Sequence, residues 1–309
     1  MNLNTEKTNP KSQNIELGKV TWYRDYNNAL HLSSKLSKPI LLFFQEIPGC
    51  STCVNFGREV LSHPIMVDII ENEFIPLAIY NNKPGIDADI LKRYDEPAWN
   101  NPVAHFVDQN GKDIVQKLAN NYHPLSMLDK IIEVLRGIKV EIPEYILNFR
   151  KELQIHYGFT KTTIYETPCF WSGETSFALN DAVYSTMAGF IGHKEVVKLE
   201  YDPTKTTLEE LNEYALAQGF FLVENHNLFR IDKDPQYYLK KTNFKFLPLT
   251  LAQRTAINLA LPYKKDAKKY LSPTQLMWYN HNKLSELSHP KAYELNIVQS
   301  WDFLTNQIK

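Results

Sequence analysis

Three cysteines occur in 309 residues, and their neighbours point to two kinds of sulfur chemistry. Cys50 and Cys53 form a Cys-Ser-Thr-Cys pair directly after the apolar run PILLFF (39–44) and open a helical pattern. Spacing of i, i+3 puts the second thiol within disulfide reach of the first. The helix N-terminus stabilises the first as a thiolate, so one sulfur attacks and the other resolves. Half of a zinc site is the alternative, but a structural zinc needs four ligands. The sequence has no second CxxC and no nearby HxxxH, so no metal is expected. An inert buried pair also fits the bare residues.

Cys169 stands alone in PCFWSGE (168–174), where the strand pattern KTTIYE gives way to a helical one. Here too the helix start favours a thiolate. Phe170 and Trp171 beside it form an apolar wall suited to a thioether methyl. The same residues equally describe a small buried cysteine among core aromatics. Glu195, in GHKE (192–195), reads by itself as a solvated strand carboxylate.

The elements that position these groups follow from periodicity. Residues 20–138 alternate helix and strand: a helix over WYRDYNNALHLSSKLS, the strand PILLFFQ, a helix from the cysteines, and a proline-started helix HPIMVDIIENEF. The strand IPLAIY, a short helix to Tyr94, a hairpin VAHFVDQNGKDIVQ turning at QNGK, and the helix PLSMLDKIIEVLRGI complete an α/β sandwich. Residues 139–160 read as a bridging helix or linker. Strand, helix, two strands and helix over 161–241 predict a split βαβ, ferredoxin-like α+β unit. The tail, 242–309, reads as a helical extension with Thr250 and Ser272 as N-caps and Pro273 at a first helical position. The fold class is therefore α/β + α+β.

Composition narrows the classes of function. The formal net charge is −1, which gives no sign of a nucleic-acid or membrane partner. Residues 1–19 are polar, lack an apolar signal core and are expected to be flexible. Three cysteines without such a signal predict a reducing, cytoplasmic setting.

Around the first pair, the sequence resembles the thioredoxin superfamily. Trp22, Ala29, Lys38-Pro39, the strand 40–44 and Cys50/Cys53 carry the likeness across residues 20–138. The stretch Ile47-Pro48-Gly49-Cys50 with Thr52 is also similar to a VPG-Cys/Sec-xxT motif. The resemblance implies a cis proline facing the cysteines, and Pro102 in NNPVAHF holds that position; it is expected to lie in the substrate groove.

Around the third cysteine, CFWSGE, then Val183, Ser185-Thr186, Gly189-Phe190, GHKEVV, YDP (201–203) and LEEL resemble the A-class peptide methionine sulfoxide reductases in order and spacing. DPQYYLKK (234–241) is similar to a late element of that family. The resemblance implies Cys169 as the nucleophile and Phe170 and Trp171 as the methyl-binding wall, while Phe190, a substrate-binding candidate, departs from the family's tyrosine at the GY position. It also implies Glu195 as the acid that protonates the sulfoxide oxygen, with His193 a motif histidine. The departures are equally specific. Pro168 replaces a glycine, the loop after Gly189 is cut short, a later aspartate and tyrosine segment has no counterpart, and the C-terminal resolving cysteines are missing. Lost oxygen-side donors lower the expected rate by orders of magnitude.

The missing resolver and the attached dithiol complement each other. A sulfenic acid on Cys169 needs a second thiol, and the chain offers only Cys50 and Cys53. Tethering would raise their effective concentration. The expected function is reduction of free or protein-bound methionine sulfoxide, recycled through a Cys50–Cys53 disulfide. An external thiol system, of thioredoxin or glutathione type, is the expected reductant, and no bound cofactor is expected. Two alternatives stand beside it: a general thiol–disulfide oxidoreductase acting on disulfide substrates whose second half only binds clients, and a thiol peroxidase acting through Cys169.

Overall fold

The computed structural model describes residues 7–308. The chain divides into two compact units, Met1–Ile142 and Pro143–Lys309.

The first unit contains α1 (Tyr26–Leu36), β1 (Ile40–Gln45), α2 (Ser51–Glu59), α3 (Pro64–Glu73), β2 (Ile75–Tyr80), α4 (Ile86–Arg93), β3 (Val103–Val107) and α5 (Pro124–Gly137). β1 is the central strand, parallel to β2 and antiparallel to β3. All six of its residues are buried, which is why it reads as an unbroken apolar run. Leu42 and Phe44 pack on Tyr26 and Ala29 of α1 and on Ile90 and Leu91 of α4. Strand alternation turns Phe43 the other way, where it stacks between Trp22 (5.2 Å) and Phe56 of α2 (5.6 Å). Burial of each ring contributes about 1.5–3 kcal/mol. This packing fixes the end of β1 against the start of α2, where the dithiol lies.

The expected hairpin is only half formed. After the turn at Gly111 (φ 75°) the chain returns through two isolated bridges, Val107–Asp113 and Ala104–Leu118, and not a second strand. The register shifts by two residues between these bridges, opposite His105. There the arm bulges and Lys117 reaches the buried Glu96. The stretch up to residue 19, expected to be flexible, is folded from Lys7 onward; residues 1–6 lie outside the described part. Leu17 and Glu16 are buried, the Gln13 amide donates to the Gly18 carbonyl (2.7 Å), and a 3-10 turn Ile15–Leu17 packs on α2. The contact is close because Gly57 of α2 has no Cβ, which would otherwise sit 2.0 Å from the Ile15 carbonyl oxygen.

The second unit contains α6 (Glu144–His156), β4 (Lys161–Glu166), α7 (Phe170–Ala178), β5 (Val183–Ile191), β6 (Lys194–Tyr201), α8 (Leu208–Leu216), β7 (Phe221–Leu222), β8 (Arg230–Ile231) and α9 (Tyr237–Lys240). After these come α10 (Leu251–Ala260), α11 (Pro273–Tyr279), α12 (Leu284–Leu287) and α13 (Ile297–Gln307). The sheet order is β7-β4-β6-β5-β8, every neighbour antiparallel. β4-α7-β5 and β6-α8-β7 are the two crossovers of a split βαβ unit, with β8 added at an edge. Phe177 of α7 and Leu211 of α8 fill the core against Tyr165, Val197 and Leu199.

The helix read as a bridge does not link the units: α6 belongs to the second. It packs on α10, where the Glu152 carboxylate accepts the Ala252 N–H at 3.0 Å. The tail helices start where capping chemistry places them. Thr250 with Gln253 and Ser272 with Gln275 form two capping boxes, each worth about 1 kcal/mol. No helix among the described residues is long and apolar enough to cross a membrane.

Candidate redox sites

Cys50 is the N-cap of α2 and is exposed, whereas Cys53, one turn in, is buried; their sulfurs are 3.5 Å apart. The two thiols are shifted in opposite directions. Donation from the Cys53 backbone N–H is the main cause that lowers the Cys50 pKa, assisted by Thr52 and opposed by partial burial. Burial pushes Cys53 up to about 12, and the neighbouring Cys50 sulfur adds to the rise. The Cys53 thiol donates to Asn101 Oδ1 at 2.6 Å. The Asn101–Pro102 bond is cis, the isomer expected, and Pro102 is buried. Ile47–Pro48, just before Cys50, is a second cis bond.

Several residues that shape this site escaped the sequence reading. Asn101 had one signal, its place immediately before Pro102. Glu16 comes from the segment expected to be flexible, and its Oε1 accepts the Gly49 N–H at 2.7 Å, anchoring the turn into Cys50. Gln45 Nε2 joins the same region by donating to the Glu16 carbonyl at 3.0 Å. Burial pushes the Tyr122 phenol up, with the two sulfurs adding to the rise, and its ring packs edge-on against Phe56 (6.4 Å). Glu46, Cys50 and Cys53 bring three metal-binding atoms within 4.8 Å of one another. Three donors leave a tetrahedral set one short.

Cys169 is the exposed N-cap of α7. Glu195, half-buried near the start of β6, sits beside it: its carboxylate accepts the Phe170 N–H at 2.9 Å and its carbonyl accepts the Thr167 N–H at 3.0 Å. Phe170 is buried and packs on Phe190 (5.1 Å) and Trp171 (5.4 Å). One face of Trp171 is covered by Tyr237, stacked at 4.0 Å. His193 is exposed in the β5–β6 turn. A groove of about 790 Å³ in this unit runs along Thr163, Tyr201, Leu208 and Leu222, and touches neither Cys169 nor Glu195.

Glu174, one turn beyond the aromatic pair, is wholly buried. Its carboxyl group accepts N–H groups from Ala188 of β5 (2.9 Å) and Gln236 (3.1 Å), and so holds the segment that lays Tyr237 over Trp171. Burial pushes it up to about 8, with Asp232 adding to the rise and the backbone donors opposing it; Arg254 and Tyr293 also lie in its field. The folded unit therefore keeps a proton that an unfolded chain releases near 4.5. Stability should be greatest at the acid end of that window, fall by up to about 1.4 kcal/mol per pH unit as pH rises through it, and level off above about 8. Urea midpoints across the window test this. The wild type should weaken toward alkaline pH and Glu174→Gln should show a flatter profile; parallel profiles would refute the assignment.

Comparison with known proteins agrees with the fold of the first unit. Residues 21–109 match the family model described as Thioredoxin-like. The N-terminal unit thus holds a thioredoxin-like domain, with the Cys50–Cys53 pair inside it. The match stops short of the second unit. Among solved structures, the chain is similar to a DsbH oxidoreductase (19% identity, 44% of this chain and 95% of that one, TM-score 0.33). It is also similar to a thioredoxin from Thermus thermophilus (23% identity, 38% and 89%, TM-score 0.33). No curated protein matches the sequence.

Proposed function

We propose that the chain is a thiol–disulfide oxidoreductase in which Cys50 attacks and Cys53 resolves. The observation that carries this reading is the asymmetry of the pair: an exposed, acid-shifted thiol 3.5 Å from a buried, alkaline-shifted one. A dithiol built this way stores its resolving sulfur as the acid until the first sulfur has reacted. External thiols of the thioredoxin or glutathione type would regenerate it. Equilibration in glutathione redox buffers followed by peptide mass spectrometry is the test. A Cys50–Cys53 disulfide should form as one two-electron step, with Cys169 left as a thiol or a glutathione adduct. Independent modification of Cys50 and Cys53 would refute the pairing.

A second reading, for the second unit, is favoured by the convergence of Cys169, Glu195, Phe170 and Phe190 from α7, β5 and β6. In it the chain is also a sulfoxide reductase, with methionine sulfoxide the leading substrate. Cys169 attacks the sulfoxide sulfur, Glu195 supplies the proton to the oxygen, and the thioether leaves as Cys169 becomes a sulfenic acid. The dithiol then reduces that sulfenic acid, releasing water and ending as the Cys50–Cys53 disulfide.

A further inference from the structure

Three side chains with metal-binding atoms converge at the turn from β1 into α2. Glu46 follows the last residue of β1, Cys50 is the N-cap of α2, and Cys53 lies one turn in. A Glu46 carboxylate oxygen and the two sulfurs all lie within 4.8 Å of one another, and the sulfurs are 3.5 Å apart. Around a tetrahedral zinc with bonds of about 2.3 Å, two sulfurs stand about 3.8 Å apart, so the dithiol is already near the spacing the ion requires. The turn that carries these groups is braced. The Ile47 N–H donates to Asn82 Oδ1 (3.3 Å), the Asn82 amide donates to the Ile47 carbonyl (3.1 Å), and Glu16 accepts the Gly49 N–H (2.7 Å). Gly49 lets the turn close over the second cysteine, because a Cβ there would sit 2.6 Å from Cys53 Cβ. Among the described residues the Glu46 carboxylate has no ion-pair partner.

A structural zinc is closed by four protein ligands, whereas an open site uses three and leaves the fourth position to water. Two thiolates and one carboxylate make such a set, and thiolates select zinc-class ions over magnesium and calcium. Cys53 is buried, Glu46 half-buried and Cys50 exposed, which leaves the Cys50 side as the way in. We propose that the reduced dithiol and Glu46 bind one zinc-class divalent cation, with water as its fourth ligand, and that the bound ion withdraws the pair from disulfide exchange. On binding, Cys50 and Cys53 release their thiol protons to solvent, and each sulfur donates an electron pair to the ion. No electron changes owner. The Cys50–Cys53 disulfide has no thiolate to offer, so the ion and the disulfide exclude each other. The block on exchange rests on the oxidoreductase reading above; the binding site does not.

Zinc titration of the full chain, in competition with a chromophoric zinc chelator, tests the site. The reduced wild type should take up one zinc per chain and the disulfide form none. Glu46→Gln should weaken zinc by at least about tenfold, the lower end of what losing even an outer-sphere partner costs. Cys50→Ser should weaken it further, and Cys169→Ser should match the wild type, since that sulfur is not one of the three ligands. Cobalt in place of zinc gives a readout separate from affinity. Its thiolate charge-transfer absorption should weaken in Cys50→Ser and persist in Glu46→Gln. Equal zinc affinity of the wild type and Glu46→Gln, or equal uptake by the reduced and oxidised chains, would overturn the site. Disulfide reduction at full rate by the zinc-saturated wild type would overturn the block. A wild type that binds zinc but reduces no disulfide even when zinc-free would instead overturn the oxidoreductase reading and leave the site standing.

Discussion

Cys50→Ser should lose disulfide reduction by on the order of ten-thousandfold, the scale seen when a covalent nucleophile is removed. The reason is the division of labour between the sulfurs. Cys50 is exposed and acid-shifted by N–H groups at the start of α2, so it is the sulfur that ionises more readily and can reach a substrate. Cys53 cannot replace it, being buried, protonated and committed to Asn101. Cys53→Ala should behave differently: Cys50 still attacks, and a covalent complex with the disulfide substrate accumulates because no second thiol lies within 3.5 Å to release it. Intact-mass spectrometry after a short incubation separates the two variants. The first step should reach its maximal rate at lower pH than for an ordinary thiol, since the Cys50 pKa is lowered. Rapid reduction by Cys50→Ser would sink the assignment.

Cys169→Ser should abolish thiol-dependent reduction of methionine sulfoxide while leaving exchange at Cys50 intact. Cys169 is exposed at a helix start, next to Phe170, whose N–H the Glu195 carboxylate accepts. Glu195→Gln should lower the same activity about 10²–10⁴-fold, the usual contribution of a positioned proton donor. Glu195 also ties down the Phe170 N–H, so the glutamine variant, which keeps an acceptor there, is preferable to alanine. Chromatographic assay of methionine with dithiothreitol as reductant reads both. Sulfoxide reduction that survives Cys169→Ser would remove the second reading and leave the dithiol chemistry untouched.

Much of this architecture was legible because the signals are local. β1 reads as a strand from an unbroken apolar run, α2 starts at the cysteines, and Thr250 and Ser272 cap the helices they were expected to cap. The cis bond before Pro102 was also anticipated. What escaped depends on contacts distant in sequence. The return arm after β3 bulges where Lys117 meets Glu96, a contact between distant residues that no two-residue alternation announces. Glu16 sits in a polar stretch that reads as flexible, yet it anchors Gly49. Glu174 is the one motif residue whose burial brings together three segments, and spacing alone carries no information on burial. Asn101 becomes visible as a thiol partner only when the chain is folded.

The bond from Cys53 to Asn101 can exist only while Cys53 carries a hydrogen. Forming the disulfide removes that donor and leaves the Asn101 carbonyl to water. Asn101 precedes the cis bond to Pro102, so that segment has one fewer tether to the dithiol in the oxidised protein than in the reduced one. The hydrogen-bond partners of Asn101 thus follow the oxidation state of the sulfurs.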